Sequence, residues 1–235
     1  MNKALYRGHR FPKEIISHCV WLYFRFSLSY RDVQEMMAER GVLVSHEAIR
    51  NWGEKFGREY ARRLRQRRGR LGDTWHLDEV FVKIGGRQHY LWRAVDQDGS
   101  LLDLLVQAKR DQVAASRFFL KVLRGAGYAP RVVVTDGLAS YREPCARLLS
   151  AAAHIRDKAA NNRAANSHQP TRGREHRMKG FKSVAHAGRF LSIFGPIYDL
   201  FSVRRHGLRA EHFRVLLARR FATWRELTQV ARAMA

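Results

Sequence analysis

The sequence predicts an α/β protein with three parts: an N-terminal helix-turn-helix, a mixed β-sheet flanked by helices, and a helical C-terminus. Three observations carry this. Helical periodicity with capping signals runs to about residue 66, strict alternation replaces it in "WHLDEVFVKI" and "RQHYLWRAVD", and glycine-rich turns separate the alternating runs. With 46% hydrophobic residues, a chain of 235 residues can build one sizeable core and a smaller one. The expected boundaries are 1–66 for the helix-turn-helix with a basic linker to about 70, 67–200 for the sheet domain, and 201–235 for a C-terminal helical segment.

The first predicted helix covers 12–26, with Pro12 at a helix start and Ile15, Val20 and Leu22 packing inward. In "SYRDVQEMMAER" Ser29 and Asp32 form a capping box, Val33, Met36 and Met37 make the apolar stripe, and Gly41 ends the helix. Ser45 then caps a third helix whose inward side is Ala48, Ile49, Trp52 and Phe56. His46, Glu47, Arg50, Asn51 and Lys55 fall on or beside its outward side, an inventory suited to the major groove, where Arg reads guanine and Asn reads adenine. "RRLRQRRGR" carries six arginines in nine positions, among them Arg62, Arg63, Arg65, Arg67 and Arg68, and reads as a phosphate-gripping linker.

Beyond the linker, Gly85-Gly86 turns one strand into the next and "QDG" turns again into "SLLDLLVQ". A helix over "DQVAASRFFLKVLRGAG" follows, with Val113, Phe118, Phe119 and Val122 inward. "RVVVTDG" is apolar enough for a strand buried on both faces. A helix near 138–149, a short strand near "AHIRD" and a helix opening within 161–182 complete the sheet domain, giving the order β-β-β-α-β-α-β-α. From Ser183 the chain reads as helical, with Thr223 and Glu226 as a further capping box.

Charge narrows the function. Lys and Arg number 44 against 21 Asp and Glu, a net +23, and residues 1–70 hold 16 against 7 of these. An excess this dispersed favours a polyanion, most simply nucleic acid. "CVWLYFRFSL" is too short to span a bilayer and the N-terminus lacks signal-peptide features, so a cytoplasmic protein without a membrane partner is expected. Cys19 and Cys145 are far apart, and no His/Cys cluster, His154 and His168 included, has zinc spacing.

Two carboxylates stand out by placement. Asp78 lies in the middle of "WHLDEVFV" and Asp136 ends "VVVTD", at the carboxyl end of a buried strand where open sheets collect active groups. A charge there is costly unless it is paired or holds a metal. Oxygen ligands suit Mg²⁺, or Mn²⁺, and carboxylate-held ions support displacement at phosphorus. Glu79 alternates to the opposite face from Asp78, and Asp96 and Asp98 sit in a turn, so all three are left outside the site.

"WHLDEVFVKIGGRQHYLWRAVDQDG", "VVVTDGLASY" and "NNRAANSHQPTRGREHRMKGFKS" closely resemble the IS6 family of insertion-sequence transposases, and the resemblance extends over nearly the whole chain. It implies an RNase H-like catalytic domain with a DDE triad, Mg²⁺ as the usual metal, binding to double-stranded DNA (terminal inverted repeats and target), and strand transfer by a 3′-hydroxyl. Joining two ends also implies at least a homodimer. By motif the first two acids are Asp78 and Asp136, which are also the expected metal ligands. The third place, glutamate in the family pattern, is Ala165, with matching residues on both sides. Glu175, ten residues on, is the nearest acid that could stand in, but it points roughly 80° away on a helix and nearly three turns along, which disfavours it.

The expectation is therefore a transposase that holds DNA without joining it. Asn161, Asn162, Arg163, Asn166 and His168 open a helix whose N–H groups favour phosphate, and Arg172, Arg174 and Arg177 continue a basic surface. The alternatives are a non-catalytic DNA-binding protein or repressor at transposon ends, and a basic RNA-binding protein, which leaves Asp78 and Asp136 unexplained.

Overall fold

The computed structural model describes residues 5–161, 168–203 and 207–230. The chain divides into two compact units, residues 1–67 with 193–235, and residues 68–192.

In the first unit, helices α1 (Lys13–Arg25), α2 (Tyr30–Glu39) and α3 (His46–Arg67) follow the predicted order. The capping box forms as expected: the Asp32 amide donates to Ser29 Oγ at 3.1 Å, and the Ser29 amide donates to Asp32 Oδ2 at 2.8 Å. The Ala48 amide donates to Ser45 Oγ at 3.2 Å, so Ser45 does open α3. Ile49, Trp52 and Phe56 are buried. Three inward expectations are not met: Ile15 is only partly buried beside the buried Ile16, Ala48 is only partly buried beside Ile49, and Met36 is exposed while Met37 is buried. Adjacent helical positions differ by about 100°, so only one of each pair can point fully at the core. Gly57 lets α1 approach closely, since a Cβ there would meet Phe24 at 2.9 Å and Ile193 at 3.0 Å.

The second unit is built on a five-stranded sheet ordered β3-β2-β1-β4-β5. Its strands are β1 (Thr74–Ile84), β2 (Arg87–Asp96), β3 (Leu101–Gln107), β4 (Val132–Thr135) and β5 (Ala153–Arg156). The first three pair antiparallel, while β4 pairs parallel to β1 and to β5. This is the mixed, RNase H-like sheet implied by the resemblance. Gly85 and Gly86 join β1 to β2 with φ of 55° and 79°, the two positive angles a tight hairpin needs. Asp96 serves its own turn, accepting from the Asp98 amide at 2.9 Å and the Ser100 amide at 2.8 Å.

One face of the sheet packs Trp75, Leu77 and Trp92 against α4 (Gln112–Ala126) and α5 (Arg142–Leu148) through Phe118, Phe119, Tyr141 and Cys145. Val113, expected inward, is 58% exposed. The stripe that meets the sheet runs Ala115, Phe119, Val122, at i, i+4 and i+7, and Val113 lies off it in the first turn. Helices α6 (Gln169–Arg177), α7 (Val184–Phe201) and α8 (Ala210–Leu227) follow.

Thr223 is interior to α8, so it caps nothing there; the S/T-x-x-E pattern occurs without a break in the helix. Within the first unit Trp224 stacks edge-on against Tyr60 and Phe201, tying α8 and the end of α7 to α3. No helix among the described residues is long and apolar enough to cross a membrane.

Candidate active site

Strand β1 runs parallel to β4 with Thr74 opposite Val132 and His76 opposite Val134. Two residues further on stand Asp78, still on β1, and Asp136, just past the end of β4, so the parallel register brings them level. β4 ends at Thr135 and releases Asp136 into a turn, where its Oδ1 accepts the Leu138 amide at 3.0 Å. Asp78 Oδ1 accepts the Glu79 amide at 2.9 Å, and its Oδ2 lies 3.4 Å from Nε2 of the buried His168. The Asp78 side chain is 13% exposed.

Glu79 joins them. One carboxylate oxygen from each of Asp78, Glu79 and Asp136 lies within 4.8 Å of the other two. Its side chain is 2% exposed; Tyr141 Oη donates to Oε2 at 2.7 Å and the Arg110 guanidinium lies 3.4 Å from Oε1. Burial pushes its carboxyl up to about 7. The Asp136 and Asp78 charges add to that rise, against the Tyr141 hydrogen bond and Arg110. Burial, followed by the Glu79 charge, carries the Tyr141 phenol well above its usual range. Burial above all holds the His168 imidazole below its usual value.

Alternation does send Glu79 to the face opposite Asp78, yet it belongs to the constellation. Its absence from the sequence reading has a physical cause. Past His76, no strand among the described residues pairs with β1 on its β4 side until the isolated bridge from Phe181 to Ile84, so carboxylates on both faces can reach round that stretch of edge. Asn161 occupies part of that edge, its amide donating to the Leu77 carbonyl at 2.7 Å. The sequence signal that could have found Glu79 is an acid beside an acid on an otherwise apolar strand.

The other predicted residues are placed as follows. Arg50, Asn51 and Lys55 are exposed on α3; Arg50 pairs with Glu47 at 2.7 Å and Lys55 Nζ lies 2.8 Å from His9 Nε2. The His46 amide is held by Gln34 Oε1 at 2.8 Å. Arg62, Arg63, Arg65 and Arg67 lie on the last turns of α3. Arg62 and Arg63 bind Glu59 at 2.6 and 2.7 Å, Arg67 binds Glu226 at 2.7 Å, and Arg68 donates to the Leu101 and Leu102 carbonyls. Arg172 and Arg177 are exposed.

Three expected surface contacts turn inward: Asn161 is 2% exposed, His168 1% and Arg174 1%. For Arg174 the reason is its place on α6, one turn from the equally buried Thr171, with its guanidinium 5.7 Å from the Phe190 ring. Asn162, Arg163, Ala165 and Asn166 lie outside the described residues. Glu175 accepts the Lys83 amide at 3.3 Å, five positions along β1 from Asp78, and is not in the acidic group.

A family model described as a DDE domain, of the IS240 transposase type, matches residues 72–203, more than half of the chain. The transposase for the insertion sequence-like element IS431mec of Staphylococcus aureus is 29% identical over 213 residues, covering 88% of this chain and 93% of that protein. The transposase for insertion sequence element IS257 in transposon Tn4003, from the same organism, matches with the same identity and coverage. The chain is an IS6-family DDE transposase.

Among solved structures, the HTLV-2 integrase catalytic core domain in complex with magnesium aligns with a TM-score of 0.40 at 15% identity, covering 60% of this transposase and 93% of that chain. The transposase's own acidic group fits a hard divalent cation: it offers carboxylate oxygens only, from β1 and from the turn after β4, and among the described residues the cationic side chain in ion-pair contact with Glu79 is Arg110. Asp78, Asp136 and Glu79 are the residues that can hold such an ion.

Proposed function

We propose that this chain is a transposase that binds an element's terminal inverted repeats and target DNA as a homodimer or larger homo-oligomer in the bacterial cytoplasm. Its centre takes Mg²⁺ or Mn²⁺ on Asp78 and Asp136. With Ala165 in the place of the motif glutamate, strand transfer is lost or strongly reduced while DNA binding persists. The observation that carries this reading is the convergence of the Asp78 and Asp136 carboxylates at the end of the parallel β1–β4 pair.

Bound divalent metal would supply charge stabilisation at the phosphate and help generate the attacking oxyanion. The chain's residues supply the rest. Backbone amides hold Asp78 and Asp136 in fixed orientations, which lowers the cost of arranging their charge at the moment of reaction. Loss of one carboxylate from such a centre removes a preorganised electrostatic contact, the class of loss that costs about 10²–10³ in rate. It also removes a negative charge from the phosphate's surroundings, so affinity for DNA is retained.

Residues 1–66 are assigned to repeat recognition as a helix-turn-helix, with α3 as the reading helix; exposed Arg50 and Asn51 support this. Residues 67–200 are assigned to the chemistry. Arg50→Ala is expected to weaken binding to repeat DNA by about 1–3 kcal/mol while changing binding to unrelated DNA little.

The deciding experiment is strand transfer with Mg²⁺ or Mn²⁺ on DNA bearing the terminal repeats, run for this chain and for Ala165→Glu, with binding to the same DNA measured in parallel. Joining by the glutamate form alone, with both forms bound, is the expected result. Equal joining by both would overturn the placement of the third acid. Binding by both with joining by neither would favour the second reading, a DNA-binding protein or repressor at transposon ends, which Ala165 itself makes specific.

A further inference from the structure

We propose that Glu79 is a third carboxylate ligand for the divalent cation, one that lets this chain hold metal although Ala165 contributes nothing. The inference rests on the reading of Asp78 and Asp136 as a metal centre and extends it to a residue outside the motif triad.

Geometry comes first. Ligand oxygens of Asp78, Glu79 and Asp136 lie within 4.8 Å of one another. Oxygens that share one Mg²⁺ at about 2.1 Å are separated by at most about 4.2 Å, so small side-chain rotations close the set. Glu79 also has the capacity. A carboxylate offers about four lone-pair sites, and here Tyr141 Oη occupies one while Arg110 approaches another at 3.4 Å. At least one site per oxygen remains.

Two further observations point to a missing partner. The His168 side chain is 2% exposed; its Nε2 contacts Asp78 Oδ2 at 3.4 Å, and its Nδ1 has no hydrogen-bond partner among the described residues. Asn161, 2% exposed, spends its amide nitrogen on the Leu77 carbonyl at the open edge of β1, and its Oδ1 has no partner among the described residues. Buried polar atoms ordinarily find partners. Two such side chains beside three converging carboxylates mark a place where a cation with its waters completes the hydrogen bonding.

The arrangement also explains why Glu79 lies on the opposite face from Asp78. β4 ends at Thr135, so among the described residues no strand pairs with this side of β1 between Leu77 and the Ile84–Phe181 bridge, and a ligand beside Asp78 and Glu79 can be approached from both faces of the strand.

The test is Mn²⁺ binding by the full chain, read by calorimetry and by the loss of the free Mn²⁺ electron paramagnetic resonance signal, with no DNA and no turnover. Glu79→Gln keeps an oxygen for the Tyr141 hydroxyl and removes the charge. It should weaken Mn²⁺ binding at least about tenfold, as should Asp136→Asn, because even residues outside the ligand set cost about 10–100-fold. Glu143→Gln, an exposed acid paired with Arg147, should leave affinity unchanged.

If Asp136→Asn weakens binding and Glu79→Gln stays within threefold of the parent, the ligand role of Glu79 is wrong and the metal centre stands. If neither variant matters, or the parent binds no Mn²⁺, the metal-centre reading fails and the inference with it. Thermal melts check folding. Should Glu79→Gln not fold, Glu79→Asp, which keeps the charge but retracts it by one methylene, is expected to bind at least threefold more weakly, and parent-like affinity would overturn the role.

Discussion

Tyr141, at the start of α5, donates a 2.7 Å hydrogen bond to Glu79 Oε2 in the middle of β1. Both side chains are buried, so the bond crosses from the helical layer to the sheet directly beneath the acidic group. Tyr141 also packs edge-on against Trp92 and Phe119, which makes it the element that couples the hydrophobic core to the site.

Tyr141→Phe keeps that packing and deletes the donor. A buried carboxylate that loses its hydrogen bond costs about 1–3 kcal/mol. Urea unfolding of the variant should show that loss in midpoint with little change in slope. An unchanged midpoint would mean that water replaces the hydroxyl at no cost.

Asp136→Asn, made in the Ala165→Glu background, should lower strand transfer by at least about 10²–10³-fold. Binding to repeat DNA should stay level or rise, because a negative charge near phosphate has been removed. Single-turnover joining assays and a binding titration on the same DNA separate the two effects.

Glu59 gives a pH signature away from the site. The hydrogen bond from Arg62 is the largest influence on its carboxyl; together with Arg63, and against partial burial, it brings the carboxyl down to about 2. Its folded value lies below the unfolded value, so its contribution is complete above about pH 4.5 and is lost as pH falls toward 2. Glu59→Gln should flatten that part of the acid limb in stability against pH and leave the neutral region nearly level. Chemical denaturation at steps between pH 6 and 2.5 measures this.

Two glycines should respond to alanine with opposite signs. Gly86 has φ of 79° and no atom within 4 Å of a built Cβ, so Gly86→Ala loses about 1–2 kcal/mol through backbone strain alone. Gly173 sits inside α6 with nothing within 4 Å and no positive φ, so Gly173→Ala gains up to about 1 kcal/mol. Thermal melts of the two variants beside the parent read both shifts.

Much of this molecule was legible in its sequence because the relevant physics is local. The Ser29–Asp32 box, the Ser45 cap and the Gly85-Gly86 hairpin each depend on a few consecutive residues, and each forms as the residue types require. The succession of strands along the chain followed from period-2 alternation and one short apolar run. Asp78 and Asp136 were conspicuous as charges in apolar strands, and the long motifs around them carried the family. Errors arose where a local pattern was read one residue off or without its surroundings. Met36 and Val113 point outward because a helix can present only one stripe, and Thr223 matches a capping pattern inside an unbroken helix.

Tertiary structure decided the rest. The level placement of Asp78 and Asp136 comes from the β1–β4 register, which joins segments nearly sixty residues apart and has no signature in either one. Glu79 enters the acidic group because β4 stops at Thr135 and opens the edge of β1, so a side chain assigned by alternation to the far face still reaches the centre. Asn161, His168 and Arg174 read as basic or polar surface and are buried: Asn161 bonds the Leu77 carbonyl, His168 lies against Asp78, and the helix that carries Arg174 bonds Arg93 of β2 through Thr171. Composition and periodicity determine which residues can pair with water and which with a core. Which charges meet is set by the distances that packing imposes between segments far apart in the chain.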